Sequence, residues 1–577
     1  MIPTPRTVAE LWQSAVTEPP SSVAYLVEEA GVWVEKGWPE VGREVEELAA
    51  GFLALGIRKG HRVAILGRTR PEWALCDWAL ISIGAIVVPI YPTSSAVECA
   101  YILGNCGARV SVCEDRDQAE KIEPARRDLE ALEHVILFGE LGDLRERGRA
   151  LLADDPASVG RVRARIEEDD KLTIMYTSGT TGPPKGCVLS QRNYREMVEI
   201  VRGVEDLFRA GDRILLHLPL AHTFARLVSF LGPATGATIA FCPDVATVPD
   251  ALTAVRPTLF PTVPRLYEKL AAAIRSNLEE AGGAKGRLAR WALGVGTRAS
   301  GRRLAGRRLP PALALRRALA DRLVLATIRG RLGGKLRFCI SGGAPLAAEV
   351  AEFFHALGIV ILEGYGLTEC TTAATFNRPG AYRFGTVGQA LPGVEVRIAS
   401  DGEVLIRGEN VFQGYYRDEE ATRAVLADDG WLASGDIGAL DPDGFLTITD
   451  RKKDLIVTAG GKNVSPQNIE SALKASRYIS EAFVVGDRRP YVVALLALDH
   501  GEVDKAAETE DQARALIERE VAEVNRDRGR VEQVRRFAVL PRELSQEESE
   551  LTPTLKVRRH VCEEHFREEI ERLYARA

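Results

Sequence analysis

The sequence predicts an α/β protein: a large N-terminal domain of parallel-rich sheets covered by helices, a β-rich subdomain within it, and a small α+β C-terminal domain. Three observations carry that prediction. The chain of 577 residues exceeds what one hydrophobic core supports. Its first half alternates short β-branched runs with helical segments, the pattern of parallel strands covered by helices. After Asp450 the pattern changes to a compact mixed stretch of domain size.

In chain order, 62–66, 86–90, 109–113 and 135–138 read as buried strands, while 71–82 and 96–105 read as helices. A basic helical insert occupies about 280–335, and a β-rich subdomain about 385–449, punctuated by Ser400-Asp401-Gly402 and Asp441-Pro442-Asp443-Gly444. Residues 1–450 form the expected first domain, 451–454 a charged connection, and 455–577 the second domain. The second domain should place strands at 482–485, 491–498 and 536–540, and helices at 466–475, 503–526 and 558–573.

Composition narrows the function classes. A hydrophobic content of 46% is that of a globular protein, and a net charge of −6 gives no reason to expect nucleic-acid binding. The longest apolar run, 78–90, is too short to span a bilayer, and the opening residues lack the arrangement of a signal peptide. Nine cysteines without a CxxC pair fit a reducing compartment rather than a zinc site or a disulfide framework, so a cytoplasmic protein is expected. His560-x-Cys562-x-x-His565 gathers three metal-capable groups, but on an amphipathic helical pattern that reads as structural. Between 285 and 337, fifteen lysines and arginines stand against one acid, Asp321, interleaved with Leu, Ala, Val and Trp291. That combination suits peripheral contact with an anionic membrane surface, such as the inner face of the cell membrane, or a solvated arginine-rich hairpin.

The chemistry begins at Tyr176-Thr177-Ser178-Gly179-Thr180-Thr181-Gly182-Pro183-Pro184-Lys185-Gly186. Hydroxyls and backbone N–H groups on a glycine-rich turn can cradle phosphates, with Lys185 as a point charge. Because Gly186 follows Lys185, the spacing is not that of a Walker A loop. Next come Leu218-Pro219-Leu220-Ala221-His222-Thr223-Phe224-Ala225-Arg226, then Ser341-Gly342-Gly343-Ala344-Pro345-Leu346 after a strand-like run. In Glu363-Gly364-Tyr365-Gly366-Leu367-Thr368-Glu369, Tyr365 offers a face for an adenine, Thr368 a hydroxyl for a phosphate, and Glu369 a hard oxygen for Mg²⁺. Asp436, in Ser434-Gly435-Asp436, can accept hydrogen bonds from both hydroxyls of a ribose. Gly460-Gly461-Lys462 forms a second close-approach loop, and Lys556 follows Pro553-Thr554.

These motifs, in this order, closely resemble those of the adenylate-forming superfamily of acyl- and aryl-CoA ligases, peptide-synthetase adenylation domains and luciferases. The chain looks most like the bacterial long-chain fatty acid–CoA ligases. That resemblance implies ATP, Mg²⁺ and coenzyme A as co-substrates and cofactor, with fatty acid as the acyl donor. It places Thr177, Ser178, Gly179, Thr180, Thr181, Gly182 and Lys185 on pyrophosphate, with Thr180 and Glu369 at the metal. Gly342, Gly343, Ala344, Glu363, Gly364, Tyr365, Gly366, Thr368, Asp436 and Arg451 would hold the nucleotide, and His222 would lie beside the acyl carboxylate. Lys556 would bridge carboxylate and α-phosphate, Gly460, Gly461 and Lys462 would border the CoA tunnel, and Lys453 would be the hinge of a mobile C-terminal domain. Ala225 stands where long-chain members carry an acid, so Arg226 is expected to lack that charge partner. Alternatives are a ligase that passes its acyl group to a carrier protein, a medium-chain or aryl acid–CoA ligase, and a non-catalytic nucleotide or acyl binder. The sequence leaves chain length and oligomeric state open.

Overall fold

The computed structural model describes residues 5–177, 183–526, 528–546, 548, 550–552 and 557–575. Two large sheets and a four-stranded antiparallel sheet make up the first part of the chain. The seven-stranded sheet runs, edge to edge, Gly414–Tyr415, Lys185–Ser190, Lys171–Thr177, Ile86–Ile90, Arg62–Leu66, Val110–Cys113 and His134–Leu137. From Lys171–Thr177 onward its strands are parallel. They are near-continuous apolar runs because helices cover both faces.

The nine-stranded sheet is parallel from Ile361–Tyr365 through Phe338–Ser341, Leu259–Thr262, Arg213–Leu216 and Thr238–Phe241 to Val23–Glu29. The helices between the two sheets enclose one core in which Trp12 stacks on Trp78 at 4.7 Å and Trp78 meets Phe230 at 4.7 Å. The third sheet is Glu395–Ile398, Glu403–Arg407, Leu432–Leu440 and Leu446–Arg451. Beyond it, Ile479–Val485, Val492–Leu498 and Val534–Val539 form the small domain's sheet, with separate apolar cores on its two faces.

The expected strands 62–66 and 86–90 and helix 71–82 coincide with Arg62–Leu66, Ile86–Ile90 and Pro71–Ser82. The expected helix 503–526 is instead two, His500–Ala506 and Glu510–Arg526, because the Thr509 hydroxyl accepts from Gln512 N and starts a new helix. The expected helix 558–573 is likewise split into Arg559–His565 and Arg567–Ala575 around the buried Phe566. Among the described residues no helix is long and apolar enough to cross a membrane.

Candidate active site

Parallel pairing of Val87 with Thr173 sets the carboxyl ends of Ile86–Ile90 and Lys171–Thr177 at one edge of the seven-stranded sheet. The phosphate loop leaves from that edge. Its two ends, Thr177 and Lys185, face each other in an antiparallel pair. Ser178, Gly179, Thr180, Thr181 and Gly182 lie outside the described residues, as does Lys556.

Lys185 is held by a residue the sequence reading passed over. The edge strand Gly414–Tyr415 pairs with Val188 and Cys187, bringing the Tyr415 ring to 5.2 Å from Lys185 Nζ. The Tyr415 hydroxyl donates to Glu369 Oε1 at 2.8 Å. One aromatic side chain thereby spaces the expected phosphate-binding lysine from the expected metal-binding carboxylate.

Glu369 and Thr368 sit on a turn, Thr368–Cys370, followed by two residues in the left-handed region, Thr371 at φ 51° and Thr372 at φ 93°. For β-branched threonines this backbone is strained, and it persists because the surroundings over-determine it. Asn410, fully buried, donates from Nδ2 to Cys370 O at 3.0 Å and Ala373 O at 3.1 Å, while Thr371 Oγ1 donates to Asn410 O at 2.6 Å. Gly366 has no room for a side chain, since a Cβ would stand 2.3 Å from Thr372 O.

The nucleoside end is equally well defined. Tyr365 OH donates to Asp436 Oδ2 at 2.7 Å, and Arg451 Nε lies 3.3 Å from Asp436 Oδ1. Cross-strand pairing of Asp436 with Arg451 in the antiparallel sheet fixes that second contact. Gly342 packs against the other wall, where a Cβ would meet Phe224 at 3.5 Å, and Gly343 is left-handed at φ +85°. Ala344 lies on the same turn.

Glu363 plays a different part from its neighbours. Its Oε1 accepts from Leu346 N at 3.1 Å, tying the loop after Ser341 to the strand Ile361–Tyr365. Burial pushes its carboxyl up to about 8, so it is protonated and neutral at pH 7. Register places Glu363 beside Ser341, Ser341 beside Thr262, and the Thr262 hydroxyl 2.7 Å from His217 Nε2. This buried polar row ends the parallel strands beneath the site. Burial also lowers His217 to about 4, which keeps it neutral.

His222 caps the helix Thr223–Thr235, its Nδ1 accepting from Phe224 N at 3.2 Å, which leaves the ring proton on Nε2. Arg226, one turn on, has no acid at position 225 to pair with, and takes its charge partner from another helix instead. Asp77, from helix Pro71–Ser82, accepts from its Nε at 2.8 Å and its Nη2 at 2.5 Å. Burial pushes the Asp77 carboxyl up and the guanidinium pulls it back only in part.

In the small domain Gly460, Gly461 and Lys462 form the exposed tip of the hairpin Ile456–Val457/Asn463–Val464. Lys453 is exposed, and its neighbour Lys452 pairs with Asp401 and Glu403. The segment on either side of Lys556 is anchored twice. Buried Glu550 accepts from Arg542, from Ser545 N and from His565 Nδ1, at 2.6–3.0 Å. Arg558 donates to Glu98 Oε1 at 2.7 Å, just beyond the strand Ile86–Ile90 and so at the sheet edge that bears the phosphate loop. His565 is thus a hydrogen-bond partner of Glu550, and Cys562 is buried with its Sγ toward Glu550 O. Among the described residues no group of metal-ligating side chains gathers there or elsewhere.

A Mg²⁺ carried by nucleotide phosphates takes one or two carboxylates rather than a protein cage. Glu369, one oxygen of which accepts from Tyr415, is the carboxylate expected in that role.

The model of the AMP-binding enzyme family matches residues 12–416, and that of the AMP-binding enzyme C-terminal domain matches 453–577. A long-chain-fatty-acid–CoA ligase of Mycobacterium bovis, FadD15, is 37% identical, with 99% of each chain covered. The ligase ACSBG2 of Gallus gallus is 32% identical, covering 99% of this chain and 82% of its own. In fold, the adenylation domain of a Mycobacterium chelonae carboxylate reductase superposes with a TM-score of 0.78 at 22% identity, covering 99% of this chain and 91% of that one.

Proposed function

The chain belongs to the AMP-binding enzyme family, and we propose that it activates long-chain fatty acids as acyl-AMP and transfers the acyl group to coenzyme A. The observation that carries this reading is the convergence of Lys185, Tyr415 and Glu369 at the phosphate loop with Tyr365, Asp436 and Arg451 at the nucleoside end.

A fatty carboxylate is a poor electrophile toward thiols. In the first step a carboxylate oxygen attacks the α-phosphorus of ATP, and pyrophosphate leaves. Lys185 and Lys556 supply positive charge where the phosphates gain negative charge, and Thr368 donates a hydrogen bond. Glu369 would help hold a Mg²⁺, which would supply positive charge against the negative charge of the phosphates. Asp436 orients the ribose, and its bonds with Tyr365 and Arg451 fix that orientation before ATP arrives. In the second step the CoA thiolate attacks the acyl carbonyl carbon and AMP leaves. A rotation of 455–577 about Lys453, within the 451–454 connection, would withdraw Lys556 and bring in the Gly460–Lys462 tip. The protein works from the cytoplasm, with peripheral contact at the membrane through its basic 285–337 segment.

The test is AMP production from ATP and Mg²⁺ with acids from acetate to stearate, with and without CoA. The expected result is CoA-dependent turnover that peaks at long chains. Lys556→Ala should abolish acyl-AMP formation and spare thiolation of supplied acyl-AMP, whereas Lys453→Pro should do the reverse. Acyl-AMP accumulating regardless of CoA, or equal loss of both half-reactions in Lys556→Ala, would overturn the proposal.

A further inference from the structure

The basic insert folds as two antiparallel helices, Gly283–Leu304 and Pro311–Ala320, continued by a π-helical turn, Asp321–Leu325. Its charge is sorted. The single acid, Asp321, is consumed by Arg329, bidentate at 2.7 and 2.9 Å, with Arg317 3.8 Å away. Arg337 pairs with Asp212 at 2.6 Å. Arg303, Arg307, Arg308, Arg316 and Arg322 point outward, and among the described residues none of them has a carboxylate partner.

The apolar residues are sorted in the opposite sense to an ordinary surface helix. Arg317 and Ala320 face inward and are buried. Leu315, Leu319 and Leu323, spaced by four, face outward and are 74%, 49% and 48% exposed. Leu304, near the turn that joins the helices, is also exposed. A solvated arginine-rich hairpin has no use for a leucine ridge on its water side, whereas an interfacial helix requires one.

We propose that this face, the leucine ridge 315/319/323 flanked by Arg316 and Arg322, with Arg307 and Arg308 on the turn that leads into its helix, docks the protein on an anionic phospholipid bilayer. The leucines enter the headgroup–acyl boundary and the guanidinium groups pair with lipid phosphates. Charge complementarity selects this occupant. The face has basic and apolar groups only, which matches a surface that is anionic outside and apolar beneath. Docking would put the enzyme where long-chain acids partition. The proposal deepens the ligase reading by assigning its membrane contact to particular side chains. Its test needs neither ATP nor an acid, so the two readings fail separately.

The measurement is co-sedimentation of the full chain with vesicles of phosphatidylcholine alone and of phosphatidylglycerol mixed with phosphatidylcholine, at low and high salt. Wild type should sediment with the mixed vesicles only. Arg316→Glu/Arg322→Glu should weaken that binding by at least about tenfold, since each basic residue near an anionic surface is worth about a factor of five. Leu315→Ser/Leu319→Ser should bind more weakly and be released by salt more readily. Both variants alter exposed positions that are not among the residues assigned to the site and should keep wild-type turnover on a water-soluble medium-chain acid. Equal binding to both vesicles, or variants that sediment like wild type, would refute the assignment. A wild type that is dimeric by light scattering while both variants are monomeric, with no vesicle binding by any of them, would make the ridge a contact between copies and overturn it as well.

Discussion

Removing Asp77 tests whether the site rests on a buried ion pair that no local sequence pattern announces. Arg226 is fully buried, with Tyr194 and Phe230 rings against its guanidinium, and Asp77 supplies its only charge partner among the described residues. Asp77→Ala leaves that charge in an apolar core with Nε, Nη1 and Nη2 all unsatisfied, which should cost about 3–5 kcal/mol. Replacing both partners by apolar residues, Asp77→Leu/Arg226→Met, removes the stranded charge and should come out between neutral and about 4 kcal/mol more stable than wild type. Urea denaturation followed by tryptophan fluorescence suits the question. All seven tryptophans precede residue 450, so the signal reports the large domain alone. Trp78, next to Asp77 in the chain, packs on Phe230 in the helix that bears Arg226. If Asp77→Ala loses under about 1 kcal/mol, or the double variant is as unstable as the single ones added together, the reasoning from desolvation fails. Since that helix begins at His222, the double variant should regain stability without regaining the full adenylation rate.

Two further outcomes follow from other buried groups. Glu363 keeps its proton to about pH 8 when folded, against 4.5 for the ordinary side chain. Between those values the unfolded chain has released a proton that the native one retains, so wild-type stability falls as pH rises. Over the interval from 4.5 to neutrality that loss is about 3 kcal/mol, and Glu363→Gln should abolish it, so melting curves at several pH values should converge with wild type near pH 4.5 and separate above. Asn410→Ala removes two bonds that hold the strained Thr371-Thr372 backbone, which stores about 1–3 kcal/mol per residue. It should raise the Mg²⁺ concentration needed for adenylation and lower kcat while the KM for the fatty acid stays put. A parallel change in acid KM would place Asn410 in general stability instead.

What could be read in the sequence follows physical locality. Strands 62–66 and 86–90 were legible because a parallel strand covered on both faces must be a continuous apolar run, and the site motifs because each is a few consecutive residues. The contacts that connect those motifs were not. Asp77 and Arg226 are 149 positions apart, and Tyr415 reaches Glu369 across 46. Nothing local marks Tyr415 as different from Tyr416, and its role is set by a two-residue edge strand pairing with 187 and 188. The row His217, Thr262, Ser341 and Glu363 exists only because parallel register aligns the ends of separate strands. The basic insert was legible as a composition, but which leucines face water depended on how its helices pack.

The sparse contact between the two domains is itself informative. Arg558 meets Glu98, Arg477 reaches Ser276 at 3.5 Å, and Glu268 lies near Lys474, yet among the described residues no apolar cluster spans the boundary. Partly exposed ion pairs of this kind contribute about 0–1 kcal/mol each. The contact from Arg558 nonetheless falls two residues from Lys556 in the chain and at the edge that carries the phosphate loop, which supports the proposal that this arrangement serves the first half-reaction. Gly460–Lys462 meanwhile points to solvent, attached to a hairpin braced by its own bonds, Thr458 N to Lys462 O at 3.0 Å and Lys462 N to Thr458 Oγ1 at 3.2 Å. A domain held by a few weak polar contacts, with a preformed second loop on another of its faces, can exchange one loop for the other at small cost. A large apolar interface would instead have fixed the enzyme at acyl-AMP.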